Sequence, residues 1–183
     1  MRKRVIVDID NTLWDFGSIL WEYLKAINAH TPEPSAWHKW DFWEDYITEK
    51  EFYISIHSIH LNQNHHKFKP YPEAKSFLDS LMKDGYYVLI ASHRDEDTRD
   101  STIKWLNTHE LVFDEVHLGH DKSVLFNDCY AIIDDSPILL DKAKHLGIVR
   151  TGLMHPWNKE SGHPLFDNLN KVYEHLKNRG VKR

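Results

Sequence analysis

Residues 5–14 read VIVDIDNTLW. Val5, Ile6, Val7 and Ile9 form an apolar run without polar alternation. That is the pattern of a strand covered on both faces, as in a parallel sheet. Asp8 and Asp10 interrupt the end of the run, which predicts a strand over 4–9. Residues two apart on a strand point the same way, so both carboxylates address one site.

A strand of this kind needs helices on either side, and the downstream sequence supplies them. Leu13, Phe16, Leu20, Leu24 and Ile27 predict a helix over 13–28, and His30 to Ser35 is a proline-broken loop. Residues 36–47 are aromatic-rich without a clear period. Thr48 and Glu51 form a capping box, after which Phe52, Ile56 and Ile59 recur at helical spacing. Residues 62–72, NQNHHKFKPYP, break the chain again. Ala74, Phe77, Leu78, Leu81 and Met82 then mark a helix stopped by Gly85, and residues 86–91 read as a second buried strand. A helix over 97–109 turns Ile103 and Leu106 inward. Strand-like runs recur near 112–118, 130–134 and 148–151, with a helix bracketed by Pro137 and Gly147. Leu165, Leu169, Val172 and Leu176 stripe a closing helix.

Strands alternating with helices predict an α/β fold: a Rossmann-like parallel sheet with helices on both faces. The segment after the first strand reads as a small helical cap over the sheet's carboxyl edge, where such folds bind ligands. The expected division is a core of residues 1–12 and 71–183 and a cap of residues 13–70.

The whole chain fits this plan. Its 183 residues suffice for one core with an insertion. With one cysteine, Cys129, no intrachain disulfide forms, and a cytoplasmic location is the expectation. Cys129 falls on a strand-like run and is expected to be inert. The basic start MRKR is followed by an apolar run that Asp8 and Asp10 cut short, so neither a signal peptide nor a membrane span is expected. A net charge of -5 argues against binding a long nucleic acid.

In a parallel sheet the strand ends meet at one edge. Here they deliver Asp8, Asp10, Ser92, Asp134 and Asp135, with Lys122 in the connection before the fourth strand. Four carboxylates so close would drive some pKa values up, and a divalent cation cures this. Oxygen-only ligands favour Mg²⁺. An ionised Asp is a nucleophile toward phosphorus, and a second acid protonates the leaving oxygen and then activates water. The lysine neutralises charge and the serine hydroxyl holds a phosphoryl oxygen. Acids that merely cap helices are the bland alternative, and the full ordered set disfavours it. A response-regulator receiver uses similar groups, but its phosphorylated Asp ends the third strand, and VFDEVHLG has no matching arrangement.

DIDNTL resembles the first motif, DxDx[TV], of the haloacid dehalogenase superfamily. Ser92 in LIASHR, Lys122 in GHDKSVL and IIDDSP are similar to its second, third and fourth motifs. The resemblance covers about residues 4–22 and 70–152. It implies Asp8 as nucleophile and Asp10 as general acid/base. It places Mg²⁺ on the Asp8 side chain, the Asp10 backbone carbonyl and Asp134, with Asp135 in support. Asn11 stands where Gly is common, and Asn tolerates the same backbone angles.

The cap holds Trp14, Trp21, Trp37, Trp40 and Trp43, with Phe16, Phe42, Phe52 and Tyr53. They build a cap core or stack on a base. WDF, YPEAKSFLDSL, IKWLNTH and LMHPWN are similar to the cytosolic 5'(3')-deoxyribonucleotidases and their bacterial and phage relatives. That resemblance implies a nucleoside monophosphate substrate with base contacts from cap aromatics, and Phe16 is the best positional match, followed by Trp43 and Tyr53. Arg94 either binds substrate phosphate or offsets Asp95, Glu96 and Asp97. His57, His60, His65 and His66 fit no standard zinc spacing and read as exposed or core histidines. The alternatives are a 3'-phosphatase on nucleic-acid ends, a small-metabolite phosphatase and a non-enzymatic phospho-ligand scaffold. A homodimer is left open.

Overall fold

The computed structural model describes residues 2–63 and 67–180. His65 and His66 lie outside the described residues. Strand β1 (Arg4–Val7) is followed by α1 (Phe16–Ile27), α2 (Glu49–Leu61), α3 (Ala74–Lys83), β2 (Tyr87–Ser92), α4 (Arg99–Thr108), β3 (Glu115–Leu118), β4 (Cys129–Ile133), α5 (Pro137–His145), β5 (Val149–Leu153), β6 (Leu165–Phe166) and α6 (Leu169–Gly180). The six strands form one sheet in the order β3-β2-β1-β4-β5-β6, and all pairings are parallel.

The continuous apolar run of β1 is explained by its two buried faces. Val5 and Val7 point into a cluster with Val88, Ile90, Ala131 and Ile133, packed by α1, α3, α4 and α6. Ile6 points the other way, with Leu89, Ala91 and Ile132, onto Leu139, Leu140 and Ala143 of α5. Strand order reverses direction between β1 and β4, and open α/β sheets take ligands in the crevice at that point. Asp8 and Asp134 flank it.

Helix ends follow local chemistry. Asp15 caps α1 by accepting from Ser18 N, and α2 carries the complete Thr48–Glu51 capping box. Ser136 caps α5 and Pro137 opens it. Between α1 and α2 the chain makes two short 3₁₀ turns, Pro34–Ala36 and Phe42–Asp45, in the stretch without sequence periodicity.

Four expectations are corrected. β1 stops at Val7, because from Asp8 the chain enters a turn in which Ile9 O accepts from Leu13 N at 2.8 Å. Leu165 belongs to β6 and not to the closing helix: Asn168 accepts from Lys171 N and starts α6 at Leu169. Ile27, the last residue of α1, is exposed. Trp14, counted above among the cap aromatics, is buried against Phe68 and against Trp105 of α4. No helix among the described residues is long and apolar enough to cross a membrane.

Candidate active site

Two acidic centres lie side by side at the carboxyl edge of the sheet, and they differ in character. The first comprises Asp8, Asp134 and Asp135, all buried. Asp8 leaves β1 with its N–H donating to Ile133 O at 2.9 Å. Asp134 and Asp135 follow β4. Lys122, buried at the start of a 3₁₀ turn (Lys122–Leu125), donates from Nζ to Asp8 Oδ1 and, at 2.7 Å, to Asp134 Oδ2. Ser136 N donates to the other Asp134 oxygen at 2.9 Å. Asn11 Nδ2 donates to Asp135 Oδ2 at 3.2 Å, while the Asn11 backbone sits at φ 56, which Asn adopts more readily than most residues. Gly152 is required by close approach. A Cβ there would lie 2.1 Å from Asp134 O, so only a glycine lets β5 pass the residue that carries this carboxylate.

One ammonium does not balance three buried carboxylates. Burial pushes Asp8 up, Lys122 opposes it, and Asp134 and Asp10 add to the rise, leaving the group at about 7. Asp135 is held well above the usual carboxylate range, by burial first and then by Asp134 and Asp8. Burial works against the Lys122 charge, but Asp134 and Asp8 outweigh it and raise its pKa. One oxygen from each acid lies within 4.8 Å of the others. This all-oxygen, over-negative donor set fits a hard divalent cation such as Mg²⁺. The carboxylates positioned for it are those of Asp8, Asp134 and Asp135; the Asp10 side chain is engaged elsewhere.

Asp10 is the second centre. Its Oδ1 accepts from Trp14 Nε1 at 2.8 Å and from Arg94 Nη2 at 2.6 Å. Its Oδ2 lies 2.9 Å from His60 Nε2 and accepts from Ser92 Oγ at 3.4 Å. Burial alone would raise the Asp10 pKa, but Arg94 and His60 hold it well below the usual range. Burial lowers the His60 pKa, and Arg94 adds to this. A neutral imidazole therefore donates from Nε2 to an ionised Asp10.

Arg94 does not offset Asp95, Glu96 and Asp97. Its Nε donates to Ser92 Oγ, and Nη1 donates to Thr102 Oγ1 and Gln63 Oε1. Those three acids face His57, His120 and Arg99 instead. Ser92 thus links Arg94 to Asp10.

A cavity of about 580 Å³ opens above both centres. Its lining includes Asp8, Asp10, Ser92, Arg94, Lys122, Asp134 and Asp135, and also Phe16, Trp43 and Tyr53. The aromatic side is built from mutually stacked rings. Trp37 lies on Phe42 at 3.7 Å and Trp43 on Phe52 at 4.5 Å. Phe16 is nearly buried and packs edge-on to Trp14. Tyr53 is 54% exposed and Trp40 40%. His93, at the sheet edge, is pushed down to about 4 by burial and then by Lys122.

His60, read from sequence only as an exposed or core histidine, is buried, and its contact with Asp10 was not foreseen. It sits one turn after Ile56 on the inward stripe of α2, and a histidine on such a stripe was the available signal. His155 was also missed; its Nε2 donates to Asn11 O at 2.7 Å, and its ring stacks on Trp157. Asn158 Nδ2 donates to Asp135 O and Leu153 O, each at 3.0 Å, pinning the loop after β5 under the acids. Cys129 is half-buried, and burial pushes its thiol up to about 11.

No protein-family model matches the sequence, and no curated protein does either. Solved structures do match. A structure described as a predicted phosphatase from Clostridium acetobutylicum superposes with a TM-score of 0.67 at 15% identity, over 97% of this chain and 99% of its own. One described as a predicted phosphoglycolate phosphatase from Haemophilus somnus 129PT gives 0.66 at 15% identity, over 96% and 98%. An L-2-haloacid dehalogenase gives 0.55 at 12% identity, over 96% and 100%. The chain shares the fold of these structures. At such identities the likeness carries the architecture alone, and what that fold does in this chain rests on the side chains above.

Proposed function

We propose that the protein is a Mg²⁺-dependent phosphomonoesterase that acts on nucleoside monophosphates through a phosphorylated Asp8. The observation that carries this reading is the foot of the cavity. There a nucleophile, a lysine and two further acids meet under a wall of stacked rings. Phosphatases among the structures of like fold support the phosphoester part.

Asp8, Asp134 and Asp135 would hold Mg²⁺, with the Asp10 backbone carbonyl as a further ligand. Bound there, the cation supplies charge neutralisation for both nucleophile and phosphoryl group. Asp8 attacks phosphorus in line, and the leaving oxygen departs with a proton. Lys122 steadies the charge that develops on the phosphoryl oxygens. Asp10 is the acid/base. Held ionised by Arg94 and His60, it is ready to take the proton of the water that attacks the phospho-Asp8. To serve the leaving group it must first take up a proton. The rings receive the base, a contact worth ~1–3 kcal/mol, or roughly 5- to 150-fold in affinity. We assign that contact to Tyr53, the most exposed of them, and Trp43, with Phe16 also lining the cavity.

The test is kcat/KM for a panel of nucleoside 5'- and 3'-monophosphates, with deoxyribose and ribose, beside a small synthetic phosphomonoester. Nucleotides should be preferred by at least about fivefold. Equal or lower values for nucleotides would reduce the reading to a phosphatase of small metabolites.

A further inference from the structure

Asn11 joins the acid cluster to α1 through one side chain. Its Nδ2 donates to Asp135 Oδ2 at 3.2 Å, and its Oδ1 accepts from Gly17 N at 2.7 Å. A backbone N–H can only donate, so Gly17 fixes Oδ1 on α1 and leaves Nδ2 for Asp135. Each end of this bridge meets a need. The N–H groups in the first turn of a helix have no partner within it. In α1, Phe16 N donates to Trp14 O at 3.0 Å and Ser18 N to Asp15 Oδ1 at 3.1 Å, while Gly17 N turns to Asn11. At the other end, Asp135 is buried beside Asp8 and Asp134, and burial and those charges resist its ionisation. Lys122 directs its ammonium to Asp8 and Asp134. Asn11 supplies the side-chain hydrogen bond that Asp135 accepts.

The backbone on both sides of the bridge is held separately. His155 Nε2 donates to Asn11 O at 2.7 Å, and Asn158 Nδ2 donates to Asp135 O at 3.0 Å. His155 N donates to Asn158 Oδ1 at 2.7 Å, which joins the two anchors in one loop after β5. The main chain of Asn11 and Asp135 is thus pinned without the amide, and the amide is left to turn the Asp135 carboxylate.

We infer that Asn11 is a positioning residue for the divalent cation: its amide orients the Asp135 carboxylate in the cation seat and ties that seat to the first turn of α1, so that metal occupancy and the order of that turn are coupled. The inference rests on the proposed function only in taking Asp8, Asp134 and Asp135 as the Mg²⁺ seat. Groups that orient metal ligands typically contribute about 10- to 100-fold in metal affinity. A cation on Asp135 keeps it ionised, and a charged acceptor strengthens the bond from Asn11 Nδ2. The amide so held keeps Oδ1 on the Gly17 N–H.

The test is Asn11→Gly in the full chain. Asn11 sits at φ 56, which glycine adopts without strain, so the substitution removes both side-chain bonds and spares the backbone. Mg²⁺ affinity is measured by calorimetry on the free protein, and Tm in chelator by circular dichroism. Exchange of the Gly17 amide hydrogen is followed by NMR with and without Mg²⁺. In the wild type, Mg²⁺ should bind and should slow that exchange. Asn11→Gly should bind Mg²⁺ about 10- to 100-fold more weakly, and saturating Mg²⁺ should no longer slow the exchange. A merely structural tie would lower Tm in chelator and leave Mg²⁺ affinity at the wild-type value, and that result overturns the inference. So does a wild-type Gly17 exchange rate that ignores bound Mg²⁺, a measurement that needs no variant. A wild type that binds no Mg²⁺ would refute the cation seat and the inference together. Mg²⁺ binding weakened as expected, with no turnover of any phosphomonoester in any form, would refute the phosphatase reading and leave the inference standing.

Discussion

Replacing Asp8 by Asn should remove turnover and also change how the fold responds to pH. In the native state the Asp8 carboxyl titrates at about 7, against an ordinary 3.8. Between those values the unfolded chain has released the proton and the native state still holds it. Rising pH therefore favours unfolding, and the loss levels off above pH 7. From pH 5 to pH 8 without divalent cation, two pH units count, at about 1.4 kcal/mol each. The wild type should lose about 3 kcal/mol through this group. In a chain of this size that corresponds to roughly 6–12 °C in Tm. The carboxamide that replaces the carboxyl in Asp8→Asn has no proton to lose, so this variant should lack that part of the slope. Asp135, also raised, contributes the same sign in both proteins. The assay is urea unfolding followed by tryptophan fluorescence in chelator at pH 5 and pH 8. Mg²⁺, by binding the ionised cluster, should flatten the wild-type curve. An identical pH dependence in the two proteins would refute the argument that Asp8 is an uncompensated buried charge.

Other outcomes follow from the same geometry. Asp10→Asn keeps the shape but cannot shuttle a proton, and kcat should fall by about 10²–10⁴ with substrate binding retained, as read by steady-state kinetics. Asp134→Ala should raise the Mg²⁺ concentration needed for half-maximal activity, and EDTA should silence the wild type; full activity in EDTA would contradict the cluster's assigned role. Tyr53→Ala, Trp43→Ala and Phe16→Ala should lower kcat/KM for nucleotides by roughly 5- to 150-fold while sparing a small phosphomonoester, and equal losses on both would make the rings only packing. Gly152→Ala puts a methyl 2.1 Å from Asp134 O, so it should displace that acid and reduce both Tm and Mg²⁺ affinity; wild-type values for both would contradict the close approach.

The parallel sheet and the meeting of Asp8, Lys122 and Asp134 were legible because they depend on local patterns joined by a simple rule. Apolar runs make buried strands, and parallel strands share a carboxyl edge. The Thr48–Glu51 box was legible because capping is a contact between near neighbours. What escaped depends on contacts between distant segments. His60 looks like any histidine until α2 brings it to Asp10, fifty residues away in the chain. Arg94 sits next to three acids in sequence, and proximity suggested pairing with them. The strand end instead turns its guanidinium inward to Asp10, Ser92, Gln63 and Thr102. Leu165 stands four residues before Leu169, a helical interval by coincidence, since Asn168 caps the helix between them. The stacked pairs Trp37–Phe42 and Trp43–Phe52 lie in or beside the stretch with no period, where the rings choose each other by shape.

The central claim is that Asp8 attacks phosphorus, and it is tested most directly by trapping the intermediate. Asp10→Asn and wild-type protein are mixed with Mg²⁺ and a nucleoside monophosphate, quenched in acid, digested and analysed by mass spectrometry. The account predicts a phosphoryl group on the peptide that carries Asp8, more abundant in Asp10→Asn, where the water that releases it lacks a base. Turnover with no phosphoryl group on that peptide, together with undiminished turnover in Asp8→Asn, would contradict it.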